Sequence, residues 1–458
     1  MNERQFKAGL AQIDVTPSLG TVINGEFTCR YANKIADQLH AKALYLQNGA
    51  TEVLIVLVDI CLMKKEFLDQ VKQQIFKRTG IAPSAQLLAS THTHSGGSVA
   101  DLLMSHEDFA YKSLLPSRIA EAAVLAKAAS KPARIAWSKV DKREHMRCRR
   151  YQMDESYKAE NPVTGNLDQV KTNPFGAEHL VLGPTTTPDP SLGYFAIQDL
   201  DGNWMGILAN YCLHYVGDCE RGTITADYFG YFARALAENL GNPKGFVGIM
   251  SNGTSGEINI WNFQGEDIYP SEHHEKSKLI GFDLASAVYE NLSELVWEEE
   301  PDLDVLYQEL DVNYRKPTPE ELNRAKAIVQ RTDYENISFG TPLFFEQVYA
   351  REQVLLSQYP DTHRFPIQSI QIGSGKIGGL GGEFFTETGI SLKQELGGTP
   401  YFTICFANDY VGYVPPAAEL ERGGYETWRC RSSCLAKESE GKIRETLLEQ
   451  LKGVIKDA

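Results

Sequence analysis

Apolar positions along this chain fall into two periods. Short apolar bursts bounded by Gly and Pro predict strands at 6–15, 42–45, 52–58, 86–90, 133–138, 192–199, 204–211, 245–250, 367–372 and 399–406. Apolar residues at three- and four-residue spacing predict helices at 64–79, 116–129, 227–240, 276–294, 319–332, 345–358, 383–395 and 437–452. Pro319 followed by Glu320 and Glu321 reads as a first helical turn, where Pro and carboxylates are favoured.

Strands and helices mixed in this way predict an α/β (α+β) protein. Regular βαβ spacing is not sustained, so a mixed β-sheet core flanked by helices is expected rather than a doubly wound sheet. The segment 153–190 is rich in turn formers and reads as a long binding loop or lid. No repeat, low-complexity tract or linker divides the chain. One catalytic domain over 1–458 is expected, with 301–359 as an appended helical layer, although 305–312 within it alternates like a strand.

Bulk properties narrow the function. The 458-residue chain carries a net charge of −15, which argues against nucleic acid as a partner. The one basic knot, 143–150, is too short to outweigh that balance. The start lacks the charged-then-apolar pattern of a secretory leader. The longest apolar run, 53–58, is too short to span a bilayer. A cytoplasmic protein without integral membrane association is expected, acting on a small molecule; a homo-oligomer is left open. Eight cysteines in a chain of this size do not make a disulfide framework, and Cys430 and Cys434 lack zinc-cluster spacing.

The most informative peptide is Thr91-His92-Thr93-His94-Ser95-Gly96, directly after the strand-like run 86–90. In an extended segment, side chains two residues apart point the same way, so His92 and His94 can face one cavity. One then binds a metal while the other handles protons. A hydrolytic zinc takes about three protein ligands and leaves one position for water. His214 ends another apolar run, and Glu383 follows a Gly-rich stretch, 378–382, at an expected helix start. His92, His214 and Glu383 are therefore candidate ligands and His94 a candidate general base. The Gly-rich stretch lacks the Gly-Lys-Ser/Thr ending of a nucleotide loop. His273 and His274 open a charged helix and read as solvated. His40, Asp59, Asp218 and Asp227 read as structural groups or outer-shell partners of a ligand. Gly253 and Gly256 read as turn residues at positive φ.

Four motifs come in one order: Ala8-Gly9-Leu10-Ala11-Gln12-Ile13-Asp14-Val15-Thr16-Pro17, the THTHSGG block, Asn252-Gly253-Thr254-Ser255-Gly256-Glu257-Ile258-Asn259, and Asn408-Asp409-Tyr410-Val411-Gly412-Tyr413-Val414 followed by Tyr425-Glu426. Together they resemble the neutral (non-lysosomal) ceramidase family over about 6–425. The resemblance implies a neutral-ceramidase-like catalytic domain with an active-site Zn2+ held by His92, His214, Glu383 and Tyr413. It implies His94 as catalytic base, Tyr425 as oxyanion-stabilising donor and Arg149 as substrate-contacting arginine. The arginine register leaves Arg147 and Arg150 open, and Arg150 is expected at the substrate.

The chain departs from that family in three respects. Asn259 stands where the family carries a serine long discussed as catalytic, and Glu257 where it carries Asp. Asn is no nucleophile, so a covalent acyl-enzyme there is excluded, while water attack needs no serine. Asn259 is expected to orient substrate or support the metal. The family's C-terminal β-sandwich is not expected after the helix 437–452, and no membrane-docking helix is seen. The expected activity is zinc-dependent hydrolysis of an amide (N-acyl) bond, in lipid metabolism if the substrate is ceramide. The alternatives are the same chemistry on a polar, ester, lactone or carbohydrate-derived substrate, and a non-catalytic binding protein that kept the fold.

Overall fold

The computed structural model describes residues 5–266 and 268–453. Two sheets face each other, and helices cover both outer sides. The larger sheet contains β1 (Lys7–Asp14), β2 (His40–Asn48), β3 (Thr51–Val58), β4 (Gln86–Ser90), β5 (Lys131–Asp141), β6 (Ser191–Asp199), β7 (Trp204–Tyr211) and β8 (Val247–Asn252). Its order is β8-β7-β6-β5-β1-β2-β3-β4. The pairs β3/β4 and β7/β8 are parallel, and the others are antiparallel. This is the expected mixed sheet. The second sheet runs β9 (Leu303–Asn313), β10 (Thr362–Ile372), β11 (Gly375–Leu380) and β12 (Tyr401–Cys405), with only its last pair parallel.

Two-residue periodicity explains the layering. Leu44 and Leu46 of β2, with Phe6, Ala8 and Leu10, point between the sheets against Ile370, Ile372, Phe402 and Ile404. Ala41, Ala43 and Tyr45 of the same strand point outward beneath α1 (Lys65–Thr79) and α2 (Phe109–Ala128). The helices α3 (Asp227–Asn239) and α4 (Glu275–Glu290) cover β6 and β7. Truncating one such buried side chain, Leu44→Ala, is expected to cost about 2–5 kcal/mol, the usual range for a core cavity.

The segment 301–359, expected as an appended helical layer, begins instead as part of the second sheet. Its strand β9 pairs with β10 over its whole length, from Leu303↔Ile372 to Asn313↔Thr362. The alternating pattern at 305–312 was the signal for this. Then come α5 (Pro319–Arg331), with a reciprocal cap between Thr318 and Glu321, and α6 (Phe344–Leu356), which packs against α5 and under the sheet. The helices α7 (Thr386–Glu395), α8 (Ala417–Arg422) and α9 (Ser439–Leu451) follow, α7 and α9 also covering the second sheet. One helix starts earlier than its sequence suggested. The helix expected at 116–129 begins seven residues before Pro116, because the Asp108 side chain accepts from the Ala110 and Tyr111 amides.

Among the described residues, no helix is long and apolar enough to cross a membrane. The eight cysteines are free thiols.

Candidate metal centre and active site

Three strand ends build the site. His92 follows β4, His214 follows β7 and Glu383 follows β11. Segments just past strand C-termini are the usual place for ligand groups in α/β proteins. His92 and His94 do not converge by strand pleating. The strand stops at Ser90 and His92 turns into a left-handed conformation at φ +72°, which costs energy in a non-glycine residue. The turn brings His94 Nε2 to 3.0 Å from His92 Nε2.

His92, His214 and Glu383 meet at their tips. His92 Nε2 lies 3.2 Å from His214 Nε2 and 3.8 Å from Glu383 Oε2, and His214 Nε2 lies 3.5 Å from the same oxygen. Donor atoms bound at ~2.0–2.1 Å to one tetrahedral zinc stand ~3.3 Å apart, so these spacings suit a shared ion. The far side of each ring is already fixed. His92 Nδ1 pairs with the Cys61 carbonyl at 2.8 Å and His214 Nδ1 with the Ser255 carbonyl at 3.2 Å. As donors there, both rings turn an unprotonated Nε2 toward the centre, the usual arrangement for a ligating histidine.

Glu383 Oε1 accepts from the Tyr410 hydroxyl at 2.7 Å, but its Oε2 is buried with no hydrogen-bond partner. A buried carboxylate oxygen left this way is costly unless something positive occupies the site. Burial pushes the Glu383 carboxyl up to about 7, and burial drives both imidazoles well down. A divalent cation reverses that logic by holding the carboxylate ionised and the rings neutral. The residues therefore fit a zinc-type ion, with nitrogen and carboxylate donors suited to it. Cys61, His92 and His94 form a second grouping of ligand atoms, but it competes poorly. His92 Nδ1, 3.7 Å from the Cys61 thiol, is engaged by the Cys61 carbonyl, and burial holds that thiol protonated.

Tyr413 pairs in register with Glu383 between the two-residue strands Glu383–Phe384 and Tyr413–Val414, and its phenol is among the groups that act on the Glu383 carboxyl. Arg149 donates to the Tyr413 hydroxyl at 3.0 Å, to the Gly256 carbonyl at 2.6 Å and to Glu426 at 2.8 Å. Tyr425 lies beside Tyr413, ring centroids 5.6 Å apart. His94, His214, Arg149, Tyr413 and Tyr425 all line one cavity of about 580 Å³. Phe27, Phe339, Phe345 and Trp428 give it an aromatic wall, while Lys171, Thr172 and Asn173 come from the long segment 153–190.

Arg150 does not reach the substrate cavity. It is fully buried and spent on Glu419, Glu426 and the Gly423 carbonyl. Neighbouring side chains at a strand point to opposite sides, so Arg149 takes the cavity and Arg150 the interior. Arg147 is held by the carbonyls of Arg143, Glu144 and Met146. Asn259 lines a smaller, polar cavity of about 240 Å³ that shares His94, His214 and Arg149 with the first. Its amide donates to Asn173 at 2.7 Å, and its carbonyl oxygen accepts from the Trp261 amide.

Gly253 and Gly256 do not have positive φ. They are glycines because a Cβ would lie 2.6 Å from Cys212 Sγ at the first and 2.6 Å from the Glu383 carbonyl at the second. Asp227 is a turn support rather than a partner of a ligand, since its carboxylate accepts from the Val216 and Gly217 amides. Asp218 caps α4 by accepting from the Lys276 and Ser277 amides.

Several site residues carried no sequence signal of their own. Tyr215 stacks on His94, centroids 3.5 Å apart and planes 15° apart. Arg30 donates to the His94 carbonyl at 2.7 Å, and Glu426 receives Arg149, Arg150 and Thr172. Adjacency to His214 and Tyr425 was the only available hint for Tyr215 and Glu426.

The architecture is that of a neutral ceramidase. The chain is similar to the crystal structure of neutral ceramidase from Pseudomonas aeruginosa, with a TM-score of 0.73 at 16% identity, covering 100% of this chain and 76% of that one. It is similar also to a ceramidase complexed with C2, with a TM-score of 0.71 at 15% identity, covering 100% and 77%. At these identities the likeness is one of fold. No protein-family model matches the sequence, and no curated protein matches it.

Proposed function

We propose that the protein is a zinc-dependent amidohydrolase of the neutral-ceramidase type, with His92, His214, Glu383 and Tyr413 as ligands. The observation that carries this is the partnerless Glu383 Oε2 facing two imidazole Nε2 atoms at 3.5 and 3.8 Å. A zinc ion held there supplies Lewis acidity toward a carbonyl and makes water acidic near neutral pH.

The remaining steps belong to the chain. Burial and the neighbouring His92 drive the His94 imidazole well down, so it is uncharged at neutral pH and free to accept a proton. It takes that proton from the attacking water and returns it to the leaving amine nitrogen. Tyr425, with its phenol pushed up by burial, stays protonated and donates to the carbonyl oxygen as negative charge grows. Arg149 orients Tyr413 and adds positive charge on the same side. Loss of such a donor, as in Tyr425→Phe, is expected to lower kcat about 100–1000-fold.

The test is metal analysis of purified protein beside turnover of fluorogenic N-acyl and ester compounds. His92→Ala and Glu383→Ala should lose zinc, while His94→Ala should keep zinc and lose turnover. Full occupancy in the first two variants overturns the ligand assignment. Turnover surviving in the third overturns the base.

A further inference from the structure

The two cavities meet at His94, His214 and Arg149, and they differ in chemistry. The larger has a contiguous aromatic wall, with Phe27 centred 5.3 Å from Phe345 and 5.6 Å from Tyr425. The smaller is more polar and adds Arg30 to Arg149, Arg221 and the carboxylate Glu26, which line both. Glu426 balances Arg149 from behind. Glu26 is shared by Arg30 and Arg221, at 3.1 Å from each, so one positive charge there is unmatched. Arg30 is nearly buried, and its Nε has no hydrogen-bond partner. A further cation, Lys171, stands on the wall of the larger cavity and forms no ion pair with any described residue. Burial lowers its ammonium pKa, against the opposing pull of Asp168 and Glu426. This excess of positive charge sits in a chain whose net charge is −15.

Resting on the amidohydrolase reading above, we propose that the amine half of the substrate carries a carboxylate, held by Arg30 and Arg221 in the smaller cavity, while the acyl half lies on the aromatic wall of the larger. The substrate class is then an N-acyl amino acid. Water adds to the acyl carbon, the C–N bond breaks and the amine nitrogen takes the proton. The products are a fatty carboxylate and a free amino acid. A partly desolvated cation without a full complement of anions is stabilised more by a carboxylate than by a neutral group. The polar cavity, about 240 Å³ with the Asn173 and Asn259 amides on its wall, accepts a group of amino-acid size.

The test compares N-octanoylglycine with its uncharged isostere N-octanoylglycinamide and with N-octanoylsphingosine, using the full chain loaded with zinc. The acid should show kcat/KM at least about tenfold above both neutral compounds, as expected where a site built for a polar group meets a ligand lacking it. Arg221→Gln should shrink that ratio through KM for the acid. Equal or better turnover of either neutral compound overturns the inference and leaves the hydrolase reading standing. A second readout needs no turnover: quenching of Trp261 and Trp428 fluorescence in metal-free protein, titrated with the acid and with the amide. Tighter binding of the acid, weakened by Arg221→Gln, supports the anionic site even if no amide is cleaved, in which case the hydrolase reading alone fails. Equal binding of acid and amide overturns it.

Discussion

Glu383 and Tyr413 stand opposite one another in a parallel pair of two-residue strands, and the Glu383 amide donates to the Gly412 carbonyl at 2.7 Å. Backbone register therefore fixes the spacing of a carboxylate and a phenol that both face the histidine pair. Tyr413→Phe keeps the ring and removes only the oxygen. Zinc affinity should fall about 10–100-fold, the usual scale for losing a group that supports a metal centre. Metal-free protein should melt at nearly the same temperature, because the strand pair does not depend on the hydroxyl. Competition with a chelator, read beside melting curves, checks both. Unchanged affinity removes Tyr413 from the ligand set.

The Tyr215 ring covers His94, and its position depends on the turn after His214, where Asp227 holds the Val216 and Gly217 amides. Tyr215→Leu uncovers the imidazole. Burial is the largest cause of the low His94 pKa, so exposure raises it. A base must be unprotonated to act, and the acidic limb of the kcat/KM profile should move to higher pH. The rate at the plateau should fall about tenfold through lost orientation, with zinc content unchanged. A pH–rate profile that keeps its acidic limb in place would show that the stack does not tune His94.

Zinc should stabilise the fold by mass action, since only the native chain brings the three strand ends together. At a free concentration 100 times its dissociation constant, a ligand adds about 2.7 kcal/mol. Chelation should lower Tm of the wild type by several degrees and leave Glu383→Gln almost unmoved. That variant replaces a charged donor with a neutral one of the same shape. An equal Tm shift in both proteins would place the metal elsewhere.

The layered fold and the strand ends bearing His92 and His214 were legible in the sequence, because apolar runs stopping at a polar residue mark where strands leave the core, whereas Glu383 stood out only by the Gly-rich stretch before it, and the strand Gly375–Leu380 went unread. The arginine was less so. Adjacent residues at a strand face opposite ways, and nothing in Arg149-Arg150 says which face is the cavity. The start of α7 was also misplaced. Helical spacing began at Glu383, but pairing with Tyr413–Val414 holds Glu383–Phe384 extended, and the helix waits until Thr386. Such tertiary competition leaves no local trace. Arg30 and Glu426 were hidden for the same reason, since their partners lie 64 and 277 residues away.

Glu426 is wholly buried and receives Arg149 at 2.8 Å, Arg150 at 2.8 Å and the Thr172 hydroxyl at 2.6 Å. Both guanidinium groups hold its carboxyl below the usual range against the opposing effect of burial. Glu426→Gln leaves the buried Arg149 without a carboxylate, while Arg150 keeps Glu419, and is expected to cost about 3–5 kcal/mol. Urea denaturation should show this as a lower midpoint with an unchanged slope. Activity should fall as well, because Arg149 loses its fixed position beside Tyr413. A stability loss below about 1 kcal/mol, the size of an exposed pair, would mean that water reaches the cluster.

Glu257 offers a test of pH and stability separate from catalysis. It is fully buried beneath α7, where both carboxyl oxygens lie within hydrogen-bond reach of the Thr386 amide, at 2.9 and 3.1 Å. Burial pushes its carboxyl up from 4.5 to about 8. The native state thus prefers the protonated acid, while the unfolded chain ionises near its ordinary value. The stabilisation is complete below pH 4.5, shrinks as pH rises and is gone once pH passes about 8. Glu257→Gln stays neutral throughout and lacks this dependence. The wild-type Tm minus the variant Tm should therefore fall steadily from about pH 5 to about pH 9 and then level off. Measuring both proteins under zinc saturation keeps metal binding out of the difference. Parallel Tm curves over that interval would mean that Glu257 keeps its charge in the fold, with Arg150 and the first turn of α7 supplying the compensation.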